Sequence, residues 1–131
     1  MKSLTDNIFE LSAPYDNFYQ GKDKRLLFVC SAGILRSATG ANLFAKKGYN
    51  TRTCGTHEYA LVPLTANLIM WAHQIIFVNP DNYHKALTTF HESSILRFLQ
   101  DKSQVLNIED DYMYNDPTLI RLLEEQVVIE K

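Results

Sequence analysis

Short apolar runs alternate along the chain with longer segments in which apolar residues recur at helical spacing. The runs RLLFVC (25–30) and QIIFVN (74–79) are typical of strands that are buried on both faces of a sheet. The segments YNTRTC (49–54) and SQVLNI (103–108) are shorter strand candidates. The pattern therefore predicts four strands, each followed by helical sequence.

Start and stop signals place the helices between these strands. A first helix ends at Gly48, and a second begins near Pro63. Asn79 or Asp81 can cap the next helical stretch, and the pair Asp116-Pro117 is a candidate N-cap and first residue of the last helix. The predicted helical segments cover residues 37–49, 62–73, 82–90, 91–100 and 117–128.

Strands that alternate with helices predict an α/β fold. Here it has three αβα layers, with helices on both faces of a mainly parallel four-stranded sheet. Residues 1–24 lack clear periodicity and are expected to form an N-terminal arm, whereas residues 25–131 are expected to form the α/β domain. Ligands of such sheets bind beyond the carboxyl ends of the strands, where the strand order reverses. Cys30 ends the first strand, so we expect it at that edge.

The composition narrows the class of protein. Of the 131 residues, 46% are hydrophobic and 21% are charged, values typical of soluble globular proteins. No apolar run is long enough to span a bilayer, and the N-terminal residues lack the apolar stretch of a secretory signal. We therefore expect a cytoplasmic protein with no membrane partner. The net charge of −2 does not favour a nucleic-acid partner.

The cysteines and histidines do not indicate a metal centre. The two cysteines, Cys30 and Cys54, cannot form a disulfide framework or a four-cysteine zinc site. The four histidines lack the His-x3-His and HExxH spacings. The sequence therefore predicts no metal and no cofactor.

The segment CSAGILRS (30–37) contains the candidate catalytic and anion-binding residues. A cysteine after an apolar strand is usually a small buried hydrophobic residue, but here Arg36 and Ser37 follow it after five residues and open a helix. A loop of this size can turn its backbone N–H groups inward around an anion, at the positive end of the helix. The predicted phosphate-binding residues are Ser31, Ala32, Gly33, Ile34, Leu35 and Arg36.

Each polar group of this loop has an expected role. The field of the loop favours a thiolate, so Cys30 is the predicted nucleophile. Arg36 presents a planar pair of donors to two phosphate oxygens, and Ser37 can donate to the sulfur as it departs. Gly33 lies where a tightly curled chain needs positive φ.

A general acid is needed to protonate the leaving oxygen, and the segment IEDDYMYND (108–116) offers candidates. It follows the fourth strand, so its carboxylates emerge at the same sheet edge as Cys30 if the strands are parallel. Asp110 and Asp111 are the predicted acids. The alternative is a solvated acidic turn without a catalytic role.

Residues from about 25 to 128 resemble the low-molecular-weight protein tyrosine phosphatase family, and most of all a prokaryotic branch of predicted tyrosine phosphatases. The resemblance implies that Cys30 is the nucleophile, Arg36 the phosphate clamp and Ser37 the thiolate partner. It aligns Asp110 best with the acid. The motifs that carry it are LLFVCSAGILRS, TRTCGT, AHQIIFVN and IEDDYMYNDP.

The chain departs from the family pattern at three places. Gly33 replaces an asparagine that usually braces the loop, and Leu35 replaces a second cysteine that many members carry. The acid loop has Asp-Asp-Tyr where the family usually has Asp-Pro-Tyr. Tyr112 is a candidate for the mouth of the pocket, where it would stack on an aromatic substrate, with simple packing as the alternative.

The sequence thus predicts a phosphatase that hydrolyses phosphotyrosine in a protein, or a small phosphate ester, through a cysteinyl-phosphate intermediate. Phosphate, sulfate and vanadate are its expected ligands. An arsenate reductase is an alternative, but such enzymes need further cysteines and only Cys54 is present. A non-catalytic anion-binding interaction protein is the other alternative, motivated by Gly33 and the altered acid loop.

Overall fold

A computed structural model describes residues 20–130 of the chain. Of the predicted N-terminal arm, residues 1–19 lie outside the described residues. Within the described part, the end of this segment runs beside the second strand. Asn50 Nδ2 donates to the carbonyl of Gly21 at 3.1 Å, and Gln20 Oε1 accepts from the backbone N–H of Thr51 at 2.6 Å.

The four strands form one parallel sheet. They are β1 (Arg25–Cys30), β2 (Asn50–Gly55), β3 (Gln74–Phe77) and β4 (Ser103–Val105), in the order β2-β1-β3-β4. The predicted fourth strand extended to Ile108, but β4 is shorter. The chain beyond it still follows β3, because the N–H groups of Leu106 and Ile108 donate to the carbonyls of Phe77 and Val78.

The helices lie close to where the sequence predicts them. The second begins at Ala66 rather than near Pro63, because residue 63 pairs with Gly55 in a β-bridge and Thr65 Oγ1 caps the helix by accepting from Leu68 N–H. The helices are α1 (Arg36–Ala45), α2 (Ala66–Trp71), α3 (Pro80–Thr89), α4 (Leu96–Lys102) and α5 (Pro117–Gln126).

Two apolar clusters cover the two faces of the sheet. Leu27 and Val29 of β1 point to one face, with residues of α2, α3 and α4, whereas Leu26 and Phe28 point to the other, with residues of α1 and α5. Alternation along a strand that is buried on both sides produces this division. The predicted three-layer α/β fold is confirmed. Within residues 20–130, no helix is long and apolar enough to cross a membrane.

The topology places Cys30 at the point where the strand order reverses. The chain passes from β1 to β2 on one side and then crosses to β3 on the other side of β1. The helices that follow β1 and β3 leave the sheet in opposite directions at such a point, which opens a crevice at the carboxyl ends of the strands. Cys30 is the last residue of β1, so its side chain lies at the base of this crevice.

Candidate active site

The phosphate loop, residues 30–37, joins β1 to α1 and curls around the sulfur of Cys30. The side chain is buried, with 3% of its surface exposed. The backbone N–H of Gly33 donates to Cys30 Sγ at 3.1 Å, and the hydroxyl of Ser37 lies 3.0 Å from the same atom. Two polar groups of the loop therefore converge on one sulfur.

Gly33 has the positive φ that the sequence predicts, at 76°. A Cβ at this position would lie 2.8 Å from the backbone carbon of Cys54, which is closer than real Cβ atoms come. The end of β2 thus presses directly on the loop. Glycine is required here both for its backbone conformation and for its lack of a side chain.

Gly33 has no side chain that could brace the loop, and side chains from outside the loop brace it instead. Thr53 Oγ1 donates to the Gly33 carbonyl at 3.2 Å and lies 2.5 Å from Ser37 Oγ. Asn82 Nδ2 donates to Ser31 Oγ at 3.1 Å. Hydrogen bonds from β2 and from the start of α3 therefore hold the loop.

The first turn of α1 faces the loop without a capping side chain. The N-cap residue is Leu35, and no side-chain hydrogen bond satisfies the first N–H groups of this ten-residue helix. These groups carry the positive end of the helix dipole. A helix that begins in this way can hold an anion between its N-terminus and the loop.

Arg36, the first residue of α1, is held rigidly although it carries a charge. Only 4% of its surface is exposed. Its Nη1 donates to the carbonyl of Ile108 at 2.9 Å, and its Nε lies 3.5 Å from Asp110 Oδ1. These contacts fix the plane of the guanidinium group beside the loop.

The predicted acid loop, residues 109–115, is anchored at both ends by hydrogen bonds. Before it, Ile108 N–H donates to the Val78 carbonyl. At its end, Asn115 N–H donates to Thr39 Oγ1 of α1 at 2.9 Å. Between these anchors, the side chain of Asp110 is 72% exposed and reaches Arg36.

A small cavity of about 130 Å³, which we call the mouth, lies over the sulfur. Asp110 lines it, whereas Asp111 is exposed and does not. Ile34 and Gly33 are also absent from its walls, and Ile34 is exposed. The residues that line the mouth are Cys30, Ser31, Ala32, Leu35, Arg36, Tyr59 and Asp110.

No protein-family model matches the chain, and no curated protein matches its sequence. Solved structures do match its fold. The YwlE arginine phosphatase from Geobacillus stearothermophilus is 18% identical, with a TM-score of 0.57 over 79% of this chain and 85% of that one. The tyrosine phosphatase Wzb from Escherichia coli K30, in complex with phosphate, is 15% identical, with a TM-score of 0.57 over 79% and 92%.

A low-molecular-weight protein tyrosine phosphatase from T. tengcongensis is also 15% identical, with a TM-score of 0.57 over 79% of this chain and 92% of that one. The chain has the fold of the low-molecular-weight protein tyrosine phosphatases. At these identities the match establishes the fold, as the sequence resemblance implied. The roles of individual residues still depend on the site geometry.

One aromatic residue does not lie where the sequence analysis predicts it. Tyr112 packs against the apolar cluster between the sheet, α1 and α5, and does not line the mouth. Tyr59, which follows β2, is exposed and lines the mouth instead. Its ring lies 5.1 Å from that of His57. The position of Tyr112 therefore favours simple packing over stacking on a substrate.

A second cavity of about 360 Å³, which we call the side chamber, adjoins the mouth. Sequence reasoning missed most of its walls, although His57 follows β2 and Asn79 follows β3, so the rule that strand ends share one edge could have found them. The residues that line it are Ser31, Arg36, His57, Asn79, Asp81, Asn82, Glu109 and Asp110.

Cys54, unlike Cys30, does not line the mouth. It is fully buried in the apolar cluster beneath α2, α3 and α4. Burial raises the pKa of the Cys54 thiol well above its ordinary value, and the nearby Cys30 raises it further. Both cysteines are free thiols. Among the residues that the structure describes, no three His, Cys, Asp or Glu side chains gather as metal ligands would.

Proposed function

We propose that this protein is a cysteine-dependent phosphatase that hydrolyses phosphotyrosine or a related phosphate monoester. The observation that carries the proposal is the convergence of the Gly33 N–H and the Ser37 hydroxyl on the sulfur of Cys30, at the head of an uncapped helix. Hydrogen bonds of this kind stabilise a thiolate, which is the nucleophilic form of cysteine. Arg36 lies beside it in the same mouth.

In the first step, the Cys30 thiolate attacks phosphorus in line with the ester oxygen. The S–P bond forms as the P–O bond to the alcohol breaks, and Asp110 gives its proton to the departing oxygen. Arg36 and the loop N–H groups bind the equatorial oxygens, on which negative charge is concentrated in the transition state. The products of this step are the free alcohol and a cysteinyl phosphate.

In the second step, water attacks the cysteinyl phosphate and Asp110, now a carboxylate, accepts a proton from that water. The S–P bond breaks, and the electron pair returns to Cys30 as a thiolate. Ser37 donates its hydroxyl proton to the departing sulfur across 3.0 Å, and Thr53 Oγ1 turns its own proton from the Gly33 carbonyl to Ser37 Oγ, 2.5 Å away. Inorganic phosphate leaves, and the enzyme returns to its starting state.

The fold neighbours include an arginine phosphatase and a tyrosine phosphatase in complex with phosphate, so this architecture accepts phosphoryl groups on different side chains. Tyr59 at the mouth favours an aromatic leaving group, because a flat ring can stack on it. Phosphate, sulfate and vanadate should compete for the loop. Two free cysteines suit the reducing cytoplasm, where we propose that the protein acts.

Rapid acid quenching during turnover of p-nitrophenyl phosphate tests the proposal. We expect steady release of nitrophenol, inhibition by vanadate, no loss of activity with EDTA, and a phosphoryl group on Cys30 in the quenched protein by peptide mass spectrometry. Binding of phosphate without turnover would instead support the anion-binding interaction protein. A phosphoryl group on another residue would exclude the mechanism.

A further inference from the structure

The side chamber is connected to the predicted phosphate site. Ser31, Arg36 and Asp110 line both the mouth and the side chamber, so a ligand group in the chamber would lie beside a phosphoryl group in the loop. The volume of about 360 Å³ is sufficient for a side-chain-sized group. The phosphatase mechanism above makes no use of the remaining walls.

One wall of the chamber carries a polar atom without a partner. Asn82 is 2% exposed, and its Nδ2 is occupied by Ser31. Its Oδ1 is buried and has no hydrogen-bond partner among the described residues. The Nδ1 atom of His57, another residue that lines the chamber, is also buried without a hydrogen-bond partner among the described residues. A buried carbonyl left unpaired destabilises the fold, so this wall favours a ligand that donates a hydrogen bond.

The charges around the chamber also favour a ligand that donates hydrogen bonds. Asp81 and Glu109 contribute two carboxylates in addition to the proposed acid, Asp110. The fixed positive charge is Arg36, whose Nη1 and Nε already face the Ile108 carbonyl and Asp110. Asn79 also directs its amide at the Ile108 carbonyl, at 3.3 Å. The chamber is therefore rich in acceptors and poor in free donors.

We propose that the side chamber binds a cationic N–H donor, an ammonium or guanidinium group, that the substrate carries next to its phosphoryl group. This inference rests on the proposed phosphatase function and specifies its substrate class: a phosphate ester with a basic neighbour. The group would donate to Asn82 Oδ1 while the carboxylates of Asp81 and Glu109 neutralise its charge.

Equilibrium binding to the Cys30→Ser protein tests the chamber without requiring turnover. The probes are phenyl phosphates with an aminomethyl, a methyl or a carboxyl group at the ortho, meta or para position. We expect the ortho or meta ammonium probe to bind about tenfold tighter than its methyl counterpart, since one charge-assisted hydrogen bond is worth that factor. The para probe should gain less, because the para position is the farthest from the phosphate group and the chamber lies beside that group.

Variants then locate the binding site of the cation. Glu109→Gln should reduce the preference for the ammonium probe to about threefold, whereas Asp101→Asn, an exposed charge change in α4, should leave it unchanged. Equal binding of the ammonium and methyl probes, or tighter binding of the carboxyl probe, would overturn the inference. Turnover of the methyl probe by the wild-type protein reports separately on the phosphatase function.

Discussion

The phosphate loop and the acid loop meet at Arg36 but are built in opposite ways. Residues 30–37 lie between a buried strand and a helix, and hydrogen bonds from Thr53 and Asn82 hold them from outside. Residues 109–115 are held by backbone hydrogen bonds at their ends and by the packing of Tyr112, but the carboxyl of Asp110 is mostly exposed. The predicted nucleophile, Cys30, is therefore preorganised, whereas the proposed acid, Asp110, is positioned by one ion pair at the surface.

This difference predicts where the protein tolerates change. Ion pairs with an exposed partner contribute little to stability, so changes at Asp110 should affect catalysis with little effect on folding. Changes in the phosphate loop should affect both, because the same hydrogen bonds that orient the sulfur also hold buried backbone. The predictions below test this division, from the largest expected effect to the smallest.

Replacing the nucleophile should have the largest effect. Cys30→Ser should lower turnover of p-nitrophenyl phosphate by about 10⁴-fold or more, because a hydroxyl at neutral pH is a far weaker nucleophile than a thiolate. Cys54→Ala is the matched control, since this second cysteine lies in the core and should be dispensable for turnover. Undiminished turnover by the Cys30→Ser protein would exclude Cys30 as the nucleophile.

Replacing the acid should have a smaller effect that depends on the substrate. Asp110→Asn should slow phenyl phosphate by about 10²-fold or more, but p-nitrophenyl phosphate much less, because nitrophenolate leaves without protonation. The free energy of unfolding should change by less than about 0.5 kcal/mol. Asp111→Asn is the matched control. Equal slowing of both substrates would assign the acid to another residue.

A side chain at Gly33 should affect stability and activity together. Gly33→Ala must adopt a φ of 76° against the backbone of Cys54, and we expect a loss of about 1–3 kcal/mol in unfolding free energy. Gly33→Asn should be no better, because its Cβ meets the same backbone. Turnover should fall in both variants, measured where each protein is fully folded.

Gly48→Ala tests whether backbone strain far from the phosphate loop affects turnover. Gly48 also has positive φ, at 102°, but it lies at the opposite end of α1 from the phosphate loop. This variant should lose stability while keeping the turnover of the wild-type protein. If Gly33→Ala also kept full turnover, the loop would not depend on its close fit to β2.

The smallest effect concerns the pH dependence of stability. Burial raises the pKa of Cys54, so the folded protein keeps this proton when the unfolded chain has lost it. The stability that Cys54 contributes is therefore complete below the unfolded pKa of about 8.5. It is lost as the pH rises above that value, by about 1.4 kcal/mol per pH unit. Urea unfolding at pH 7 to 10 should show this slope, and Cys54→Ala should lack it. A slope unchanged in that variant would contradict the assignment.

Local sequence was sufficient for one half of the site. The run from Arg25 to Cys30 is apolar enough to be a buried strand, and α1 follows directly, so Cys30, Gly33, Arg36 and Ser37 share a loop that consecutive residues define. The same reasoning found Asp116 as the cap of α5, where it accepts from Thr118 N–H. In each case the interacting groups lie within a few residues of one another.

The tertiary structure decided what surrounds that loop. Asn82 and Ser31 are 51 residues apart in sequence, and Tyr59 rather than Tyr112 lines the mouth. The sequence by itself determined the α/β fold, the position of the thiol at a sheet edge and the helix that follows its loop. Only the packing of strand ends against one another decided which side chains brace the loop and form the chamber, because those contacts depend on sheet order and on the paths of loops that no local pattern encodes.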